Sequence, residues 1–194
     1  MIDNHLPILQ VLLPLVAAVL CLLLRNRLIV TTLAIMVTWV TFAVSMALMS
    51  TVLRQGVISY ELGGWAPPWG IEYRVDVLNA FVLVLVSGIG AVVATWSPSS
   101  ISVELPRYER HYLFYCAYLL CLAGLLGITV TGDMFNVFVF LEISALSSYV
   151  LISLGQDRRA LTAAYSYLVM GTLGATFILI GIGLLYIMTG TLNM

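Results

Sequence analysis

One acidic residue, Glu142, lies near the middle of the run GDMFNVFVFLEISALSSYVLISL, which is apolar enough and long enough to cross a bilayer. Every other charged residue falls at the end of such a run or in a connecting segment. A carboxylate at mid-membrane depth costs about 2.5–3.5 kcal/mol on insertion scales, and intramembrane carboxylates mark proton or cation sites that need a partner. Helical spacing sets Phe135, Phe138, Val139, Ala145, Leu146 and Tyr149 on the same broad face as Glu142, with the Tyr149 hydroxyl about two turns away. Ser144, Ser147 and Ser148 fall on flanking faces, where they could carry water or hydrogen-bond the carboxylate through it. Protonation of a carboxyl group follows its surroundings: desolvation disfavours the charged form and a nearby cation restores it. That tunability is what a proton relay requires. Two structural readings compete with it. In one, a neutral glutamate is hydrogen-bonded to a neighbouring helix and holds the bundle together. In the other, Glu142 forms a structural ion pair at a protein interface.

The chain does not supply an obvious partner. It has no lysine, and no other apolar run carries Arg or His at mid-depth. His5 and His111 stand at run ends, as interfacial residues do. Asp76 and Asp133 open two of the runs, where the helix dipole favours an acidic cap. The other half of a charge pair is therefore expected from another polypeptide or from sequence outside this chain. Cys21, Cys116 and Cys121 all sit inside apolar runs without a CxxC pair, as buried small hydrophobes do. Flavin and nucleotide fingerprints are lacking, as are paired histidines suited to haem. No cofactor, no metal and no redox or hydrolytic site of the chain's own is expected.

The elements that must position Glu142 follow from composition. Hydrophobic residues make up 62% of the 194 and charged residues 9%, against about 25% charged in soluble domains, and mean hydropathy is +1.08. A polytopic membrane protein follows, and no basic patch suggests nucleic acid. Six segments are long enough to span as helices, at 6–24, 28–53, 76–96, 111–130, 133–154 and 161–188. The expected fold is an all-α, six-helix membrane bundle forming a single domain over 1–194. Arg25, Arg27, Arg107, Arg110, Arg158 and Arg159 fall in alternate connectors and on one side; Arg54 and Arg74 fall on the other. The positive-inside rule then puts both termini outside. The N-terminus, MIDNHLPILQ, has neither a basic region nor a small-residue cleavage site, so it does not read as a removable signal peptide. Between helices 2 and 3, Ile58, Tyr60 and Leu62, then Ile71, Tyr73 and Val75, alternate around Gly-Gly and Pro-Pro-Trp-Gly. This predicts a short external β-hairpin-like loop, with Trp65, Trp69 and Tyr73 at the interface and an exposed edge suited to a neighbouring subunit. The sixth run carries Gly171 and Ala175 at small-xxx-small spacing, a signal for close helix packing.

The residues also carry a family resemblance. TGDMFNVFVFLEISALSSYVL resembles the fifth helix of the antiporter-like subunits shared by respiratory complex I and the Mrp-type multisubunit cation/proton antiporters. PRYERHYLFYCAYLLCLAGLLGITV resembles their fourth helix, YLVMGTLGATFILIGIGLLYIMTGTLNM their sixth, and GGWAPPWGIEYRVDVLNAF their external loop and third helix. The match is nearest to the Mrp D-type subunit and to its relatives in membrane-bound hydrogenases, and it corresponds to the N-terminal part of the family fold. The resemblance implies that Glu142 is the family's essential fifth-helix glutamate, paired with a seventh-helix lysine and active in coupled proton movement. It implies a fold of about fourteen helices containing two inverted repeats, each with a broken helix. At Tyr165–Ser166–Tyr167 a serine stands where many relatives carry a lysine or another polar residue, so no additional basic site is expected there. The expectation is a split or truncated subunit, completed by a chain that supplies the lysine; a reduced accessory subunit is the other option. The function implied is that of a membrane subunit of a Na+/proton antiporter, or of a related complex I-like assembly, in the cell membrane. It would move protons and Na+ alongside other membrane subunits. The alternative is a non-conducting assembly subunit of a membrane-bound hydrogenase or NADH dehydrogenase-like complex.

Overall fold

A computed structural model describes residues 5–65, 70–104, 111–155 and 157–194. Among them are six helices long and apolar enough to cross a membrane. These are α1 (Leu6–Leu24), α2 (Arg27–Gln55), α3 (Val77–Glu104), α4 (His111–Val130), α5 (Met134–Ser153) and α6 (Arg158–Thr189). Arg107, Arg110 and Trp69 lie outside the described residues. The main departure from the expected spans is in α3, which runs on past 96 through Pro98 to Glu104. A proline cannot donate to the carbonyl four residues back. The Ser97 hydroxyl donates to that carbonyl, Ala94 O, at 2.7 Å, and so the helix continues. Helix α6 begins at Arg158, with Asp157 as its N-cap in extended conformation, rather than at 161.

Helix α4 is the central post. It packs against α1, α2, α3 and α5, while α6 packs chiefly on α5. Burial follows the same order: Leu119, Leu126 and Val130 of α4 are fully buried, whereas Phe177, Ile187 and Met188 of α6 are about three-quarters exposed or more. Glycines set the α4–α5 approach. A Cβ at Gly124 would lie 2.7 Å from Ser144 N and 2.8 Å from Phe140 O, and a Cβ at Gly127 would collide with the Phe140 ring. Small residues permit this backbone proximity between helices in lipid. Across α1, α2 and α3 a buried polar tie joins Gln10, Ser45 and Ser87; Gln10 donates to Ser45, and Ser87 Oγ donates to Ser45 Oγ at 2.8 Å.

The predicted hairpin is present. Strands β1 (Ile58–Glu61) and β2 (Glu72–Val75) pair antiparallel, with Tyr60 opposite Tyr73. Its edge is only partly free, contrary to the expectation of an open docking edge. Tyr73 bridges to Thr131, and Gly132 N donates to Glu72 O at 2.8 Å. The C-terminal segment lies beyond, with Met194 N on Gly132 O at 2.8 Å and Met134 N on Leu192 O at 2.9 Å. Unpaired strand groups are thus satisfied from within the chain. His5 Nδ1 lies 3.0 Å from the Tyr60 hydroxyl. The start of α1, the hairpin, the α4–α5 connector and residues 192–194 therefore meet at one end of the bundle. Tyr73 is 4% exposed there, and burial pushes its phenol above the ordinary 10.0, against an opposing hydrogen bond with Asn136.

Candidate functional site

Helix α5 starts at a defined cap. Asp133, in extended conformation, accepts a hydrogen bond from Asn136 N at 2.8 Å, and Asn136 Nδ2 donates to Thr131 Oγ1 at 2.9 Å. Asp76 accepts from Asn79 N at 2.8 Å in the same way. Both aspartates thus cap helices. With 1.5 Å rise per residue, Glu142 stands about 12 Å below the first residue of α5, in a helix about 30 Å long.

The glycine-lined contact decides which way Glu142 faces. Gly124 of α4 abuts Phe140 O and Ser144 N, the two positions that flank Glu142 in sequence. At 100° per residue, Glu142 lies about 200° around the helix from each. It therefore faces away from α4. Its neighbours on that side are Phe135, 47% exposed, Leu146, 50%, and Val150, 46%. Glu142 itself is half-buried, and among the described residues it forms no hydrogen bond and no ion pair. Among the described residues, the open face of α5 thus carries a carboxylate without a hydrogen-bond or ion-pair partner, amid apolar side chains.

The flanking serines are placed elsewhere. Ser144 donates to Leu141 O at 2.9 Å, Ser147 to Ile143 O at 2.7 Å and Ser148 to Ser144 O at 2.8 Å, so each hydroxyl folds back on its own helix. Ser147 is buried. Ser144, Ser148 and Tyr149 line a cavity of about 360 Å³ among α4, α5 and α6, together with Cys121, Tyr167 and Gly171. Cys121 Sγ lies 3.4 Å from Ser148 Oγ. Tyr149 borders both regions. Its ring meets Tyr167 edge-on with centroids 5.0 Å apart, its hydroxyl occupies the space a side chain at Gly171 would need, and it lies within electrostatic reach of Glu142. Of the supporting residues expected from sequence, Ser144, Ser148 and Tyr149 share the lining of this cavity. Gly124 and Gly127 are absent from the residues expected to matter, although their close spacing on one helix is a small-residue signal like that at Gly171.

Residues 131–194 match the family described as NADH:quinone oxidoreductase/Mrp antiporter, transmembrane. The N-type subunit of NADH-quinone oxidoreductase from Desulforudis audaxviator is 41% identical over 98% of this chain and 38% of its own length. The D-type subunit of the Na+/H+ antiporter from Bacillus subtilis is 32% identical, again over 98% of this chain and 38% of the relative. Among solved structures, a chain of the archaeal membrane-bound sulfane sulfur reductase superposes with a TM-score of 0.89 at 29% identity, covering 97% of this chain and 38% of that one. A chain of the Mrp complex from Dietzia sp. DQ12-45-1b gives 0.87 at 28% identity, covering all of this chain and 36% of that one. The chain thus spans well under half the length of these relatives. The similarity covers all six helices, and the structural neighbours are subunits of multisubunit membrane complexes.

Proposed function

We propose that this chain, which belongs to the antiporter-like membrane subunit family shared by Mrp-type antiporters and NADH-quinone oxidoreductases, contributes Glu142 to coupled cation/proton movement in a multisubunit assembly. The observation that carries the reading is the placement of Glu142: mid-depth, half-buried, on the face of α5 turned away from α4, with no partner among the described residues. A carboxylate left without a partner at that depth calls for a cation from another element. In this reading the cation is a basic residue, such as the lysine the resemblance implies, outside residues 1–194. These residues then form the N-terminal part of the larger fold. Protons, and Na+ in an Mrp-type assembly, are the moving species, and redox chemistry of the assembly resides on other subunits. The arginine distribution supports a cell-membrane orientation with the hairpin end outside.

A second reading is a non-conducting assembly subunit, in which Glu142 forms a structural ion pair with a neighbouring subunit. Glu142→Gln in the intact complex separates the two, because glutamine keeps the shape and hydrogen-bonding capacity but cannot titrate. The relay reading expects normal assembly with transport reduced roughly a hundredfold, within the range for a positioned proton-transfer group. Glu142→Asp, which keeps the charge, should lose less. An assembly role expects weakened complex formation, since removing one partner leaves a buried charge unpaired. Normal transport by an assembled Gln variant removes Glu142 from the mechanism.

A further inference from the structure

Between the hairpin end and Glu142 stands a pair of aromatic rings. A cleft of about 440 Å³ opens at that end, lined among others by Gly70, Asp133, Phe135, Tyr186 and Thr191. The rings of Phe135 and Phe138 lie in contact below it, with centroids 6.3 Å apart and planes tilted by 34°. Phe138 precedes Glu142 by four residues and Phe135 by seven, so the three share one stripe of α5. The carboxylate is therefore about 10 Å deeper than Phe135, the residue that walls the cleft. Phe135 is 47% exposed and Phe138 half-buried, so the pair sits at the margin of the packed bundle.

The stripe is asymmetric about Glu142. Toward the hairpin end it offers two apolar rings and then a cleft with the Asp133 carboxylate at its wall. In the other direction it offers Tyr149, whose hydroxyl borders the cavity lined by Ser144 and Ser148. Protons and hydrated cations travel through water, and apolar constrictions interrupt water by dewetting. An antiport site must communicate with each side in turn, which requires a barrier that opens.

We propose that Phe135 and Phe138 form a hydrophobic gate between the hairpin-end cleft and Glu142, and that the cleft is the water-filled antechamber through which protons or hydrated cations reach the carboxylate. This rests on the reading of Glu142 as a carrier. Neither ring exchanges a proton; both act as positioning residues that set when water reaches the carboxylate.

The test uses the intact complex in liposomes with a pH-sensitive dye trapped inside, and follows the decay of an imposed pH gradient with no coupling ion present. Phe138→Ala opens the constriction, and the decay should accelerate roughly tenfold, since most of an apolar plug is gone. Adding Glu142→Gln to Phe138→Ala should return the leak to the native rate. An unchanged leak in an assembled Phe138→Ala complex overturns the gate, and so does a raised leak that survives the added Glu142→Gln. If Phe138→Ala does not assemble, the same outcomes are read from Phe135→Ala, whose ring is half exposed. Failure of the underlying reading is seen separately, as normal coupled transport by Glu142→Gln alone.

Discussion

Gly124→Ala adds one methyl group at the contact that orients Glu142. The new Cβ would sit 2.7 Å from Ser144 N and 2.8 Å from Phe140 O, both backbone atoms of α5. An ordinary Cβ contact needs 3.4 Å or more, so α4 and α5 must part by about 0.7 Å, the shortfall from 2.7 Å. No flexible side-chain tip is present to yield instead. Overpacking of this kind costs about 1–3 kcal/mol, while the higher helix propensity of alanine returns up to about 1 kcal/mol. The complex should therefore assemble, with a modest loss of thermal stability. Transport should suffer more, because the displaced turn contains Glu142, and a shift approaching 1 Å at a reacting group can cost on the order of a hundredfold. We expect at least a tenfold fall in cation-driven proton flux in proteoliposomes, with no titratable group altered. Gly174→Ala is the control: its Cβ meets nothing within 4 Å, and it should be neutral, or stabilising by about 0.5–1 kcal/mol. Native flux and stability in Gly124→Ala, with damage from Gly174→Ala, would refute the assigned α4–α5 contact.

Other expected outcomes follow from single contacts. Asp133→Ala removes the α5 cap and should lower the melting temperature of the purified complex, at a cost of about 1 kcal/mol, and Asp133→Asn should restore most of it. Tyr73 has its folded-state pKa raised above 10.0 by burial. The stability held by its neutral phenol is complete below pH 10 and is lost as pH rises through the higher folded value. A thermal-melt series across that range should show a larger drop in the native chain than in Tyr73→Phe. With the hairpin end outside, Trp65→Cys should react with an impermeant thiol reagent from the external face and Arg158→Cys from the cytoplasmic face; the reverse pattern rejects the orientation.

The parts of the fold that are legible in the sequence are those set by local composition. Six apolar runs become six helices because lipid leaves the backbone no other way to satisfy itself. Asp76 and Asp133 are readable as caps from their positions alone, and the period-two residues around 58–62 and 71–75 form the strands. Features that depend on what lies opposite are not readable. The expected end of the third span at 96 falls short, because the Ser97 back-bond that carries α3 through Pro98 is a detail of side-chain geometry. Ser144, Ser147 and Ser148 look like companions of Glu142 by spacing, but each hydroxyl is taken by its own helix. The glycines of the sixth run carry the more obvious packing signal. At Gly124 and Gly127 the contact is not readable, because only tertiary structure shows that Gly124 faces the backbone of α5 and Gly127 the Phe140 ring. The hairpin edge looks free because residues 131–133 and 192–194 are distant in sequence.

The most direct test asks whether Glu142 changes protonation during transport. Infrared difference spectra of the intact complex, recorded as the coupling-ion gradient is switched on, report carboxyl protonation through the carbonyl stretch. A carboxyl band should appear with turnover in the native complex and be missing from the Glu142→Gln complex. The same difference spectrum in native and Gln complexes, with transport intact in both, would contradict that expectation.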